Sequence, residues 1–353
     1  MSEEMNTAGW DAIEEAVTKL YGEQEPKHYG TAIPYMLGGQ DPLDGLSAYK
    51  AETPSPHWYI VTFGFSELYE KESADSEYSG YGFELSFRVA RSEDEEEPPA
   101  WALNLLQNMG RYVFSSNNVF APGDYLDANG PICLGADTEL TALAFIPDSD
   151  LGTLNTPNGR VEFLQMVGIT EDELEAMKIW NTRGLLEAGK AEMPGYITDL
   201  SRTSMLHNPG IQESVQIGID RDGSSTGFLF VDQLGWEPGK NGLFKKKPSV
   251  LTLGAKQADT VGKLLRGRLL KGKELRLVSN EISVTLEPAS TTGVKTEEGA
   301  VHLQLDETVV NELMDNLLPK EGEIRLTSYN DLIIQVVKTY IKDQDGQVVS
   351  TVG

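Results

Sequence analysis

Four histidines, one cysteine and two small groups of aspartates are the residues of this 353-residue chain from which catalysis or metal binding would start. His28, His57, His207 and His302 stand far apart, and none has a partner at metal-ligand spacing. With Cys133 the single cysteine, a zinc site would need remote ligands to meet through folding alone. His57 sits at the start of an apolar run, where a histidine is more often a structural hydrogen-bonding residue than a catalyst. Asp41 and Asp44 flank a proline in LGGQDPLD; the pair suits a cation or acid–base chemistry, but also the capping of turn amides. IDRDGS, Ile219 to Ser224, opens like a calcium loop yet lacks the later ligands and the closing glutamate, so it reads as a turn. There is no phosphate loop, nucleophile elbow or dinucleotide fingerprint. The expectation is a protein with no cofactor, no metal and no catalytic centre.

The elements that would position such residues centre on His57 to Arg88. In HWYIVTFGFSELY both alternating faces are apolar and β-favouring, as in a strand buried on two sides. GYGFELSFR alternates Phe83, Leu85 and Phe87 with Glu84, Ser86 and Arg88, which predicts a strand with one wet face. The Ser- and Gly-containing KESADSEYSG between them predicts a loop across which the two strands pair. Before this hairpin, Trp10, Ile13, Val17 and Leu20 mark an amphipathic helix closed by Tyr21 and Gly22, and a first strand is expected near Thr31 to Met36. After it, Pro98 and Pro99 start a helix from Ala100 to about Phe114. Leu140–Ile146 and Val161–Val167 read as strands, and Thr170 with Glu173 forms a capping box opening a helix that Gly184 interrupts or ends. A last strand, Ile197–Leu200, closes this half.

The predicted fold class is α+β with two lobes, each a mixed, mostly antiparallel sheet covered by helices. The boundaries are 1–205 for the first lobe, 206–223 for a polar hinge and 224–353 for the second. In the second lobe, Phe228–Val231 and Val250–Leu253 are strands separated by GKNGLFKKKPS, a basic helix spans about Ala258–Leu270, and Glu274–Val278 with Ile282–Leu286 forms a hairpin. Strand Val301–Leu305, helix Glu307–Leu318 and strands Glu323–Leu326 and Leu332–Val337 complete it.

Fifty-five acidic residues against 29 basic give a formal charge of −26, which opposes binding to a polyphosphate backbone and argues against nucleic acid as a partner. The same field suits solubility or steering toward a basic partner. Cys133 in PICLG is expected to be a buried thiol in a reduced compartment. No long apolar run is present and MSEEMNTAGW is polar and acidic, so no membrane association is expected and the protein is expected to be cytoplasmic.

The series LGGQDPLD, HWYIVTFGFSELY, GYGFELSFR, PPAW (Pro98–Trp101), RYVF (Arg111–Phe114), FLQMVGIT (Phe163–Thr170), ITDLSR (Ile197–Arg202), GIDRDGS and LLRGRLLKG (Leu264–Gly272) closely resembles the suppressor of fused family, known from animal Hedgehog signalling and from bacteria. The chain is read as a bacterial homologue. The resemblance implies two lobes that bind proteins rather than perform chemistry. In the animal proteins an extended Gli peptide pairs with a strand edge between the lobes. A tyrosine in RYVF and an aspartate in the following Gly-Asp face that peptide, which implies partner-binding roles for Tyr112 and Asp124. The receiving strand opens the second lobe, which implies such a role for Phe228–Val231, where Phe228 and Phe230 are either core residues or an apolar lip. Where the animal proteins present a glutamate and a leucine before LRGRLL, this chain has Lys256 and Thr260, and their long insertion shrinks to GKNGLFKKKPS, which implies a shared fold with a different partner. Bacterial relatives resemble immunity proteins of toxin systems, and an acidic surface suits a basic toxin.

The leading expectation is therefore a non-catalytic module that captures a protein or peptide segment between its lobes. The alternatives are an enzyme using acidic residues in the same cleft and a scaffold acting through homo-oligomerisation. A perturbed carboxylate pair would mark the enzyme, an open strand edge the binding module, and a large apolar patch outside the cleft the scaffold.

Overall fold

All seven residues of the His57–Phe63 strand are buried in the computed structural model, which describes residues 6–33, 35–241, 246–297, 299–342 and 347–353. The chain divides into two compact units: one comprises residues up to Leu174 with Leu186–Asn208, the other Glu175–Leu185 with Pro209–Gly353. In order, the elements of the first are α1 (Ala8–Tyr21), β1 (Lys27–Gly30), β2 (Gly45–Ala51), β3 (His57–Phe63), β4 (Tyr78–Ala90), α2 (Ala100–Ser116), β5 (Tyr125–Asp127), β6 (Leu140–Pro147), β7 (Thr153–Thr156) and β8 (Gly159–Thr170). They form one eight-stranded sheet of order β1-β2-β3-β4-β8-β6-β5, with β7 beside β8. The pairing of β4 with β8 is parallel and the others are antiparallel.

The two-sided apolar pattern of β3 has a direct cause. Trp58 and Ile60 pack with Leu106 and Val113 of α2, while Tyr59, Val61 and Phe63 pack with Ile13 and Val17 of α1. One helix covers each face. At full burial each large side chain contributes roughly 1.5–3 kcal/mol, so this strand is a main source of the unit's stability. The LGGQDPLD loop serves the same core: its fully buried Leu43 seats against Gly64, which holds φ 136°, and against Gly110 of α2, where a Cβ would collide with it.

The polar face of β4 is not wet. Glu84, Ser86 and Arg88 are all buried, because neighbouring elements supply polar partners in place of water. Glu84 accepts from the hydroxyls of Thr62 (2.6 Å) and Ser66 (2.7 Å) and from the amides of Gly64 (3.0 Å) and Ser66 (2.9 Å). Ser86 donates to Asp148 at 2.5 Å, and Arg88 donates to Asp150 at 2.9 Å. Other differences are local. The first strand is Lys27–Gly30 and a 3-10 turn occupies Tyr35–Leu37, while position 34 lies outside the described residues. Cys133 is half-buried, not buried. Ile197–Leu200 contributes one bridge, Thr198 to Val89, and no strand.

α3 (Glu171–Ile179) and α4 (Thr182–Ala188) follow β8, the helix breaking before Gly184. The amide of Thr170 donates to Glu173 at 2.9 Å, one half of the anticipated capping box. Residues 206–223, expected as hinge, contain the helix α5 (Pro209–Asp222), grouped with the second unit. Its polar composition reflects an outer face, since Ile211, Val215, Gly218 and Ile219 are buried at helical spacing.

The second unit continues with β9 (Phe228–Phe230), β10 (Leu234–Glu237), β11 (Lys240–Asn241), β12 (Lys246–Lys247), β13 (Ser249–Gly254), α6 (Ala255–Gly267), β14 (Leu275–Val278), β15 (Ser283–Pro288), β16 (Gly293–Glu297), β17 (Ala300–Leu305), α7 (Glu307–Asn316), β18 (Gly322–Arg325), β19 (Leu332–Val337), β20 (Thr339–Lys342) and β21 (Val348–Val352). Residues 242–245 of the GKNGLFKKKPS loop lie outside the described residues. Its two main sheets have orders β10-β13-β19-β18 and β16-β17-β15-β14-β9, and both are mixed. A single core joins them, with Val261, Leu264 and Leu265 of α6 and Val309, Val310 and Leu313 of α7 meeting inward residues of both. The class is α+β, as the pattern predicts.

Candidate functional site: two sheet edges

Among the described residues no group of histidine, cysteine and carboxylate side chains gathers to hold a metal. Three of the four histidines are occupied locally: His28 with Ser47 (3.0 Å), His57 with the carbonyl of Ser55 (2.7 Å) and His302 with Glu287 (2.5 Å). Asp41 pairs with Arg111. Asp222, from IDRDGS, ends a helix and accepts from the Trp180 indole at 3.1 Å. Burial raises the Glu84 carboxyl to about 7, against the hydrogen bonds that would lower it, but Glu84 has no exposed surface to offer a substrate.

In the first unit, Tyr112 lies in the last turns of α2, half-buried. Its ring stacks on Phe120 with centroids 5.7 Å apart, and Phe120 stacks on Phe145 of β6 at 4.0 Å. The Tyr112 hydroxyl accepts from Asn118 at 3.2 Å. Asp124 is exposed at the entry to β5, the last strand of its sheet; it accepts from the Ala121 amide at 2.8 Å and makes no ion pair among the described residues. Phe120 and the Ala121–Asp124 turn thus link tyrosine, aspartate and sheet edge in one surface. Sequence reasoning reached both residues only through the resemblance, because neither has a local pattern of its own.

In the second unit, Phe228 and Phe230 form β9, the last strand of the five-stranded sheet. They are not core residues. Phe228 is 57% and Phe230 46% exposed, while Leu229 between them turns inward onto the core. β9 pairs with β14 in parallel, with Phe228 opposite Arg276 and Phe230 opposite Val278. The Gly227 carbonyl accepts from Arg276 at 2.9 Å and the Val231 amide donates to Val278 at 2.8 Å. Residues in a parallel strand bond alternately to its two sides, so Gly227, Leu229 and Val231 serve β14. The backbone groups of Phe228 and Phe230 therefore point out of the sheet, where no strand pairs with them among the described residues. This exposed apolar edge is a template for another chain.

Beside it, a cavity of about 430 Å³ is lined by Phe230, Asp232, Leu234, Thr252, Ser279 and Glu281, among others. The sequence gives little notice of it, because its walls come from three separate stretches. Lys256 and Thr260 behave differently from a ligand-facing pair. Lys256 is half-buried, and Thr260 is buried and donates to Glu175 at 2.7 Å, which makes it a packing residue within its own unit.

The family model for suppressor of fused protein (SUFU) matches residues 39–203. The human Suppressor of fused homolog is 36% identical over 235 residues, covering 62% of this chain and 48% of the relative, and the mouse protein is 36% identical over 236 residues with the same coverage. The chain thus spans about half the length of the curated relatives it matches. A chain of the solved Sufu–Fu complex is 32% identical, with 60% of this chain and 98% of that one covered and a TM-score of 0.55. Drosophila Suppressor of Fused shares the fold, with a TM-score of 0.78 over 95% of this chain and 99% of that one at 23% identity. From the ordered series of motifs, the shared fold and these relatives, the chain belongs to the suppressor of fused family.

Proposed function

We propose that this protein is a non-catalytic binding module that captures an extended segment of a partner protein by adding it as a strand to β9. The observation that carries the reading is the outward aim of the Phe228 and Phe230 backbone groups on an edge strand whose aromatic side chains are exposed as well. Backbone hydrogen bonds would supply affinity and the flanking side chains selectivity. A relative solved as a Sufu–Fu complex supports a protein partner. Tyr112 and Asp124, by family resemblance, are a second contact surface on the first unit. The charge of −26 favours a basic partner, a toxin if the protein serves immunity, drawn in by long-range attraction.

The test is affinity capture from the native host with the intact chain, with Tyr112→Ala/Asp124→Ala and with Phe230→Pro, read by mass spectrometry. One basic protein retained by the intact chain and lost with Phe230→Pro is the expected result. The same set of proteins on all three forms overturns the reading.

A further inference from the structure

We propose that the cavity at the end of β9 receives a lysine or arginine side chain from the segment paired to that strand, an inference that rests on the strand-capture reading above. The cavity of about 430 Å³ is lined by residues of the second unit, and these include two carboxylates, Asp232 and Glu281, but, among the described residues, no lysine, arginine or histidine. Both acids are exposed, and neither makes an ion pair among the described residues. Asp232 is held in place by the Gln257 side-chain amide, which donates to it at 3.1 Å. Phe230 forms an apolar wall and lies on the free edge as well.

These features match the two parts of a long basic side chain. Its methylene stem lies along apolar surface while its charged head stays in the polar mouth, and the Phe230 ring face adds attraction for a cation. On a strand paired to β9, the residue beside Phe230 projects to the same face as that ring, which places it at the cavity. Its neighbour two positions along meets Phe228 on the same face. The recognised pattern is therefore an apolar or aromatic residue and a basic residue separated by one position. The wider acidity of the chain directs the encounter, while this cavity fixes the register.

The experiment is selection of a random-peptide display library on the full chain, followed by binding measurements with the labelled selected peptides. Peptides should carry an apolar and a basic residue separated by one position, bind the wild type and lose binding with Phe230→Pro relative to Phe230→Ala. Asp232→Asn/Glu281→Gln should weaken them about tenfold, as expected for loss of two exposed charge partners. Asp232→Lys/Glu281→Lys should reverse the preference toward a glutamate at the basic position. Peptides that lose binding with Phe230→Pro but lack a basic residue, and bind Asp232→Asn/Glu281→Gln unchanged, overturn the cavity assignment and leave strand capture standing. A library yielding no binder sensitive to Phe230→Pro overturns both.

Discussion

Trp180 lies flat against Gly218, its indole filling the space that a Cβ on that α5 residue would need. The contact explains why Glu175–Leu185 is grouped with the second unit although most residues around it in sequence belong to the first. Trp180 is 4% exposed, its indole donates to Asp222, and its carbonyl accepts from the Ser225 amide at 2.8 Å. Gly218→Ala should destabilise the protein by about 1–3 kcal/mol, the usual cost of overpacking, seen as a lower urea midpoint. Trp180→Leu should also destabilise it, and the double variant should lose less than the two single losses added together. Strict additivity would separate the two residues energetically.

Glu84 predicts a pH dependence of known sign. Its folded value is raised to about 7 from 4.5, chiefly by burial. The contribution is therefore fully present below the unfolded value, falls as pH rises toward about 7 and is level above it. Glu84→Gln keeps the shape and an acceptor for the Gly64 and Ser66 amides but does not titrate. Between about pH 5 and about pH 8, the stability of Glu84→Gln relative to wild type should rise by up to about 3 kcal/mol. Urea midpoints of both proteins at the two pH values measure it, and a constant difference would refute it.

Asp306 caps α7, accepting from the amides of Thr308 (3.0 Å) and Val309 (3.1 Å) and from the Thr292 hydroxyl (2.7 Å). The Thr292 hydrogen bond is the first cause holding its carboxyl below the usual range. Asp306→Ala should cost about 1 kcal/mol and Asp306→Asn less. Thermal unfolding of the three proteins checks the order, and equal losses for both variants would contradict a capping role.

The parts of the fold legible in the sequence are those where one local pattern meets one kind of surface. β3 is apolar on both faces because α1 covers one and α2 the other, and the period-2 reading of Trp58 to Phe63 reports that directly. Glu84 shows where such reading stops. An alternating polar face looks the same whether water or Thr62 and Ser66 answer it, because the donors lie elsewhere in the chain. Residues 206–223 look like a linker for a related reason: α5 buries only a narrow stripe and its other faces are polar. In the sequence Phe228 and Phe230 read as core residues or as an apolar lip, since a short aromatic strand reads alike at the centre and at the edge of a sheet. Only its neighbours decide, and among the described residues β9 has one.

The most direct measurement is residue-resolved amide exchange at Phe228 and Phe230, by NMR, for the free protein and for its complex with a selected peptide. Their amides face the open side of β9, so they should exchange quickly in the free protein and become protected in the complex, with Leu229 protected in both. Saturating binding that leaves the Phe228 and Phe230 amides as fast as before would contradict capture by strand addition.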